Sequence, residues 1–342
     1  MASRFLSMCF GLFGLTLLCC AVAGLRADEA PPPQPPPPGP AGAPPDGGSS
    51  VPAPGDKPLD LHFLDFLVPK HPRPTWRVGA ATDFAATAGI DGSRATVNVT
   101  GLEGSVGYEG WRLRYKRSIF AWNLHDSAVF PSDPAPEGAR RDPWQDLNTI
   151  GLAWFHFAVL KPHWTYILAA GVNAAYEKEV KDCFNAFAMG MYGYSWRPGW
   201  QFNFGAILAV NRIHVIPLPA VSWSYRKDAQ DGWSFQIGIP EFWLAYHFDS
   251  RWQVSSHFIE FEGETWRLAD DNPVAHGGYL EAKGVKTGLD VQYKPTDRVT
   301  FTLAGKYVFN RQWIVQSSTL KHKETIDLHP ALGGQLQVEW NF

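Results

Sequence analysis

The segment from Trp200 to Asn211 constrains the fold more than any other part of the chain. Its even positions from Trp200 to Val210 are all apolar, whereas Gln201, Asn203 and Asn211 stand at odd positions. An alternation of period two is typical of a β-strand and excludes an amphipathic helix. The segment has about the 9–11 residues that a tilted strand needs to cross a bilayer. A strand of a soluble β-sandwich has the same pattern, so this segment alone leaves both folds open.

The same hairpin unit recurs along the chain. Corners with proline or charged turn residues, each followed at once or nearly so by an aromatic, lie at residues 161–164, 197–200, 228–233 and 249–252, with a weaker copy at 294–298. The segments 218–225 and 239–246 match at a spacing of 21 residues. One hairpin that is reused in this way predicts an up-and-down meander of strands.

Aromatic residues and long breaks fit strands that cross a bilayer. The segment from Trp164 to Tyr176 has aromatics at its two ends and smaller apolar residues between them. This order is expected if Trp and Tyr stand at the two membrane interfaces. The long break from about Leu124 to Gln145 is unusual in a compact domain but ordinary on the outer side of a membrane barrel. The short proline turns are therefore expected to face the periplasm.

Composition excludes several other classes of protein. The chain of 342 residues has a formal net charge of −3, which argues against a nucleic-acid partner. Beyond the N-terminal leader, no segment has the roughly 18 consecutive apolar residues that a membrane helix requires. The histidines show no metal-binding spacing, so neither a metal nor a cofactor is expected. Once the leader is removed, Cys183 is the remaining cysteine, which excludes an intramolecular disulfide.

Three segments precede the predicted strands of residues 71–342. Residues 1–27 have the positive start, apolar stretch and small residues of a signal peptide, with cleavage predicted near residue 23 or 27. Residues 28–58 are rich in Pro, Gly, Ala and Ser, which predicts a disordered linker that prefers polyproline II. This linker is a tether through the periplasm or peptidoglycan, a docking site for a periplasmic partner, or filler. Residues 59–70 form a short linker or a plug.

The final strand carries a resemblance to a known class of protein. Leu336, Val338, Trp340 and Phe342 share one face, and the chain stops at Phe342. This alternation resembles the C-terminal assembly signal of bacterial outer-membrane β-barrel proteins, although the glycines stand at the start of the strand. The Trp-Arg-Pro-x-Trp corner resembles, more narrowly, an uncharacterised outer-membrane barrel family filed as a domain of unknown function. The resemblance implies contact with outer-membrane lipid and insertion by the barrel assembly machinery, and it brings no catalytic residues.

Closure into a barrel pairs every backbone amide in lipid, because it removes both sheet edges. The predicted fold is an all-β, antiparallel up-and-down transmembrane β-barrel of about 12 strands, within a range of roughly 10 to 14. Its outer face is expected to be apolar and its lumen polar. The alternation assigns to the lumen Arg112, Arg114, Lys116, Gln201, Asn203, Gln236, Lys286, Asp290, Gln337 and Glu339.

Three functions remain open at this point. A porin-like channel for small solutes is indicated by lumen residues of mixed sign. A structural or anchoring barrel with a filled lumen fits the same pattern, because a dozen strands enclose either an open or a filled bore. A membrane-embedded lipid hydrolase would use Ser255 and His257, which lie two residues apart and therefore on the same face of a strand. Glu260, Glu262 and Glu264 are nearby in the sequence. No triad geometry follows from this spacing, so no enzyme activity is expected.

Overall fold

The computed structural model describes residues 76–125, 129–130, 141–226, 231–239 and 241–342, apart from the side chain of Glu262. The predicted signal peptide, linker and plug segment lie outside the described residues, as do parts of the 228–233 corner and of the break after Leu124. Within these ranges, no helix is long and apolar enough to cross a membrane.

The described residues form fifteen β-strands in one sheet. In chain order they are β1 (Trp76–Gly89), β2 (Thr96–Tyr108), β3 (Trp111–Asn123), β4 (Asp146–Lys161), β5 (Trp164–Tyr176), β6 (Phe184–Arg197), β7 (Trp200–Val210), β8 (Val215–Arg226), β9 (Gly232–Ile239), β10 (Phe242–His247), β11 (Trp252–Arg267), β12 (Tyr279–Thr296), β13 (Val299–Gln316), β14 (Lys323–Leu328) and β15 (Ala331–Asn341). From β1 to β13, each strand pairs with the next in antiparallel register.

The sheet closes on itself. β13 pairs with β12 on one side and with β15 on the other, and β15 pairs with β1. In the described part of the chain, fourteen antiparallel strands, β1–β13 and β15, therefore form a closed barrel, while β14 pairs with the end of β13. The predicted all-β antiparallel barrel is confirmed. Its fourteen strands lie at the upper end of the predicted range, because β9 and β10, with 8 and 6 residues, are shorter than ordinary membrane strands.

Tight turns and long connections lie at opposite ends of the barrel. Two-residue turns join β2 to β3, β4 to β5, β6 to β7 and β12 to β13. The terminal strands meet at this same end, which we call the turn end, where the N–H of Phe342 donates to the carbonyl of Trp76 at 2.9 Å. At the opposite loop end lie the connections 124–145 and 268–278.

A band of tryptophan–tyrosine pairs surrounds the turn end. Ring centroids lie 4.4–4.9 Å apart in the pairs Trp76–Tyr108, Trp164–Tyr194, Trp200–Tyr225, Trp233–Tyr246 and Trp252–Tyr293. The two members of each pair face one another on neighbouring strands. Apart from the pair of β1 and β2, these tryptophans are the aromatics of the predicted corners. We call this band the aromatic girdle.

The largest apolar core lies at the loop end. Its buried members come from the β1–β2 connection, from β2 and β3, from the connections 124–145 and 268–278, and from the loop ends of β4, β5 and β11–β14. They include Ile90, Phe120, Trp144, Leu268, Leu280 and Trp313. The rings of Trp144 and Trp313 lie 5.4 Å apart and pack edge to face. We call this cluster the cap.

The distal part of the β11–β12 hairpin leaves the wall and crosses the loop end. The register of β11 against β12 slips between His257 and Glu260, which marks a β-bulge. Farther along, Arg267 of β11 pairs with Tyr176 of β5 in parallel orientation, although these strands lie far apart in the sheet order. We call residues 260–286 the arm. The arm therefore spans the mouth of the barrel from β11 to β5.

Candidate functional site: the barrel interior

Contacts between strands that are not neighbours identify the inner face. Lys116 Nζ on β3 lies 3.5 Å from Glu264 Oε2 in the arm, and Glu264 also accepts a hydrogen bond from the hydroxyl of Thr149 on β4. On the far side, Asn211 Nδ2 donates to Thr265 Oγ1 at 3.2 Å. Such contacts pass through the interior, because other strands separate the partners along the wall. The alternation along each strand then identifies the other inward side chains.

The sequence-assigned lumen residues share the face of Lys116. Strand register and alternation place on this face Arg112, Arg114, Lys116, Gln201, Asn203, Gln236, Lys286, Asp290, Gln337 and Glu339. The residues of the assembly signal, Leu336, Val338, Trp340 and Phe342, lie on the opposite face of β15 or continue its line. The rings of Trp340 and Phe342 stack there with centroids 4.8 Å apart.

One half of the inner face carries most of its charge. This charged side comprises the inward side chains of β1–β3, β11–β13 and β15. Its ion pairs include Arg114–Glu103 at 2.6 Å, Lys286–Glu260 at 2.8 Å, His257–Asp290 at 3.0 Å and Arg112–Glu339 at 3.5 Å. These side chains keep 16–51% of their surface exposed. The charged side therefore borders space inside the barrel, and its ion pairs position charge more than they stabilise the fold.

The other half, formed by the inward side chains of β4–β10, is mostly uncharged, and we call it the neutral side. Near the turn end, Gln201 Nε2 donates to Asn203 Oδ1 at 2.7 Å, and Asn203 Nδ2 donates to Ser222 Oγ at 3.2 Å. Gln201 and Asn203 are 3% and 0% exposed. A Cβ at Gly193 would collide with the Gln201 amide and the Thr165 hydroxyl. This polar cluster fills the interior instead of lining a bore.

Toward the loop end, the neutral side becomes apolar. The buried side chains of Ile167, Met191 and Ala220 are in contact, and Phe157, Met189 and Ile207 pack against them. Strand pairing places these residues side by side across β4–β8, and we call them the inner patch. The prediction of a polar lumen is wrong for this region. Both faces of β5 and β6 are largely apolar, so their polarity does not reveal which face points inward.

The histidine considered for hydrolysis contacts a carboxylate. His257 Nε2 lies 3.0 Å from Asp290 Oδ2, and none of the hydrogen bonds of the described residues joins Ser255 to His257. A serine–histidine contact that the sequence analysis missed joins Ser234 Oγ to His247 Nε2 at 3.1 Å. Both partners are buried on adjacent strands β9 and β10. The period-two alternation of the sequence could have placed Ser234 and His247 on the same face of the sheet. Only the register of β9 against β10 shows that the two side chains are in contact.

Metal-binding and thiol chemistry find little support in the described structure. Across the described ranges, no group of three or more His, Cys, Asp or Glu side chains could hold a metal ion. Cys183 is buried in the β5–β6 connection, where its carbonyl accepts the N–H of Ala175 at 2.9 Å. Burial raises the pKa of the Cys183 thiol, which lowers its reactivity because the thiolate is the reactive form.

Together, the closed wall, the aromatic girdle and the cross-barrel contacts define an antiparallel β-barrel with an apolar outer face and a partly charged interior. The chain belongs to the family described as a domain of unknown function (DUF6268), whose family model matches residues 143–329. That stretch contains β4 to β14. The predicted resemblance to an uncharacterised barrel family is therefore confirmed.

A comparison with solved structures finds chains of low similarity. The KdgM porin in complex with disordered oligogalacturonate is 6% identical, with a TM-score of 0.30, over 77% of this chain and 99% of that chain. The NanC porin is 11% identical, with a TM-score of 0.32, over 78% and 99%. The P. putida toluene transporter TodX is 9% identical, with a TM-score of 0.32, over 82% and 92%. No curated protein matches the chain. The assignment of the barrel rests on the strand pairing described above.

Proposed function

We propose that the chain is an outer-membrane β-barrel protein with a porin-like function, which passes small solutes along the charged side of its interior. The aromatic girdle carries the membrane part of this proposal, because Trp and Tyr concentrate where a barrel meets the bilayer interface. Beyond the girdle, the outer face exposes large apolar side chains such as Leu113, Leu152, Leu289 and Leu303. A wall of this kind is suited to lipid and would promote aggregation in water.

The charged side supports the solute path. Each of its ion pairs joins a positive to a negative side chain, and both members of each pair stay partly exposed on the inner face. A bore lined by both signs of charge accepts small polar solutes without a strong preference for anions or cations. The proposed channel is narrow, because the cap and the arm cover much of the loop end.

Conductance of the refolded protein in a planar bilayer tests the channel. We expect ion current with weak selectivity, and we expect Arg112→Gln with Arg114→Gln to shift the reversal potential toward cation preference. Arg117→Gln is the matched control, since Arg117 lies on the outer face of the same strand and pairs with Asp146 at 2.9 Å. The absence of current at every voltage contradicts the channel.

A structural barrel with a filled lumen is the second candidate. It is favoured by fully buried side chains that occupy interior space, namely those of the cap at the loop end and those of the polar cluster on the neutral side. Glu264→Ala discriminates between the two candidates, because Glu264 holds the arm to Lys116 and Thr149. A channel gains current when the arm loosens. A barrel that stays silent in both the wild type and this variant is structural.

The terminal segments extend the proposal to export and anchoring. We infer that residues 1–27 are removed as a signal peptide, that residues 28–58 tether the barrel to peptidoglycan or a periplasmic partner, and that the assembly machinery reads Leu336 to Phe342. Membrane fractionation is expected to recover the protein with the outer membrane. Unchanged extraction from cell envelopes after deletion of residues 28–58 would contradict the tether.

Enzymatic activity forms no part of the proposal. Inward Arg112, Arg114, Lys286 and Asp290 are engaged in ion pairs, and a solute path requires no bond-breaking chemistry from them. The discriminating assay is lipid deacylation by the refolded protein. Activity that is lost in both Ser255→Ala and His257→Ala would replace the channel with a hydrolase.

A further inference from the structure

The barrel wall is incomplete between β8 and β11. β7 pairs with β8 from Val215 onward, whereas β9 pairs with β8 from Val221. On the other side, β10 pairs with β11 no farther than Ile259. Among the described residues, no strand pairs with residues 215–220 on the side away from β7. The short β9–β10 hairpin thus leaves a gap in the loop half of the wall.

Two prolines occupy the edge of this gap. Pro217 and Pro219 lie opposite even-numbered residues of β7. The N–H of Asn211 donates to the carbonyl of His214 at 2.9 Å, so the hydrogen-bonded pairs of β7 and β8 fall at odd residues of β7. The pairs of both prolines are therefore not hydrogen-bonded, and their nitrogens point away from β7 and toward the gap.

The chemistry of this edge decides what can occupy the gap. A proline nitrogen carries no hydrogen, so the edge cannot offer the donor ladder that an added strand requires. In contact with lipid, the same feature leaves fewer donors unsatisfied. The edge is therefore unsuited to a strand from a partner or a second copy, and it is suited to remain open toward the bilayer.

The inner patch lies directly behind the edge. Leu218, which stands between the two prolines, pairs with Ile207 of the patch, and Ala220 of the patch follows on the same face. The arm bounds the gap toward the loop end, where His214 Nε2 lies 3.4 Å from Glu281 Oε2. Because the cap and the arm cover the loop end, the gap is the shortest route from the inner patch to the lipid-facing surface.

We propose that this gap is a lateral window through which a lipophilic solute, with a hydrocarbon chain or ring, moves between the inner patch and the bilayer. The inference rests on the proposed function and specifies the class of solute. The inner patch offers such a solute an apolar surface on the inner face of the wall. Val215 lies on the outward face of β8 and exposes its side chain at the outer rim, which continues the lipid-facing wall.

Fluorescence quenching from within the bilayer tests whether the window is open. In the full chain, all four native cysteines, Cys9, Cys19, Cys20 and Cys183, are replaced by Ser. Leu218→Cys is then labelled with bimane in phosphatidylcholine vesicles that contain doxyl-labelled lipid. Quenching at this position is expected to approach that of outward Leu208→Cys and to exceed several-fold that of Gln337→Cys, which faces inward behind a complete wall. Equal quenching at the two inward positions overturns the window.

Photo-crosslinking with diazirine-bearing palmitic acid tests the solute class. Crosslinks are expected on inward Met189 and Met191, with about a tenfold loss in Ile207→Asn because a polar amide disfavours an apolar ligand. Ala209→Asn is the control, since it places the same amide inward on β7 but outside the patch. Crosslinks confined to outward residues such as Leu208, or equal labelling of both variants, overturn the proposal.

Current measured on the same preparations separates this inference from the proposed function. Current without inward quenching or crosslinks leaves the channel and removes the window. Inward quenching and crosslinks without current leave the window and remove the porin-like path.

Discussion

The charged side and the neutral side follow the same period-two alternation, but their inward side chains differ in exposure and in the bonds that they make. On the charged side, Arg114 pairs with Glu103 at 2.6 Å while 51% of its side chain stays exposed. On the neutral side, Asn203 is fully buried and uses both ends of its amide in hydrogen bonds. Buried amides must be satisfied, whereas exposed charges are already solvated. The two sides therefore differ in how their inward polar groups are satisfied: by exposed ion pairs on the charged side and by buried hydrogen bonds on the neutral side.

The largest expected effect on stability comes from a substitution that removes hydrogen bonds on the neutral side. Asn203→Leu keeps the volume but leaves the donor of Gln201 and the hydroxyl of Ser222 without this partner, and each loss costs about 1–3 kcal/mol. We expect the free energy of unfolding in urea to fall by roughly 2–5 kcal/mol. Arg114→Met on the charged side is the control, with an expected loss below about 1 kcal/mol. Similar losses in the two variants would show that the two sides do not differ in this way.

Glycine substitutions sharpen the comparison without changing polarity. Gly193→Ala places a methyl group against the Gln201 amide and the Thr165 hydroxyl, which must then give up hydrogen bonds at a cost of about 1–3 kcal/mol. Gly104→Ala is the matched control, because its Cβ would meet nothing within 4 Å. Urea unfolding in the same detergent measures both. A larger loss for the Gly104 variant would contradict the packed neutral side.

Glu264 joins the two sides, and its removal is expected to have a smaller effect on stability. It contacts Lys116 of the charged side and Thr149 of the neutral side. Glu264→Ala is expected to lower the free energy of unfolding by about 1 kcal/mol, since the ion pair is partly exposed, and to raise bilayer conductance. Glu264→Gln keeps an acceptor for Thr149 and should recover most of the stability. Equal conductance in all three proteins argues against a gating arm.

The sequence predicted the strands, the turns and the position of the aromatics because each depends on local pattern. Period two in residues 200–211 defined β7, and the corners at 161–164 and 249–252 became turn-end hairpins. The aromatics that follow these corners form the girdle because hairpins of similar length bring Trp and Tyr into register on adjacent strands.

The arm, the gap and the inner patch depend on tertiary contacts that local pattern does not contain. β11 has a strand pattern on both sides of its bulge, so nothing in the sequence shows that its distal half crosses to Tyr176. Ile167 and Leu168 are both apolar, and only the register that links β5 to Lys116 through β4 shows which one points inward. The long connection before Asp146 contributes Phe130 and Trp144 to the cap. The presence of aromatic residues in a long loop is the one sequence feature that could have indicated this packing.

The smallest expected effect lies outside both sides of the interior, in the turn before β11. Asp249 Oδ1 accepts the N–H groups of Arg251 at 2.7 Å and Trp252 at 2.8 Å, and these bonds lower the pKa of Asp249. A carboxyl whose pKa is lower in the folded state stabilises the fold above its unfolded pKa of about 4, and this contribution disappears as pH falls through the folded pKa. Asp249→Ala should therefore lower the unfolding midpoint at pH 7, and the difference from the wild type should shrink toward pH 3.

The interior variants should keep most of their difference over this range, because Asn203 and Gly193 do not titrate. If the difference in unfolding midpoint between Asp249→Ala and the wild type is independent of pH, the charge of Asp249 does not stabilise the turn. The turn and the interior would then not differ in the pH dependence of their stability.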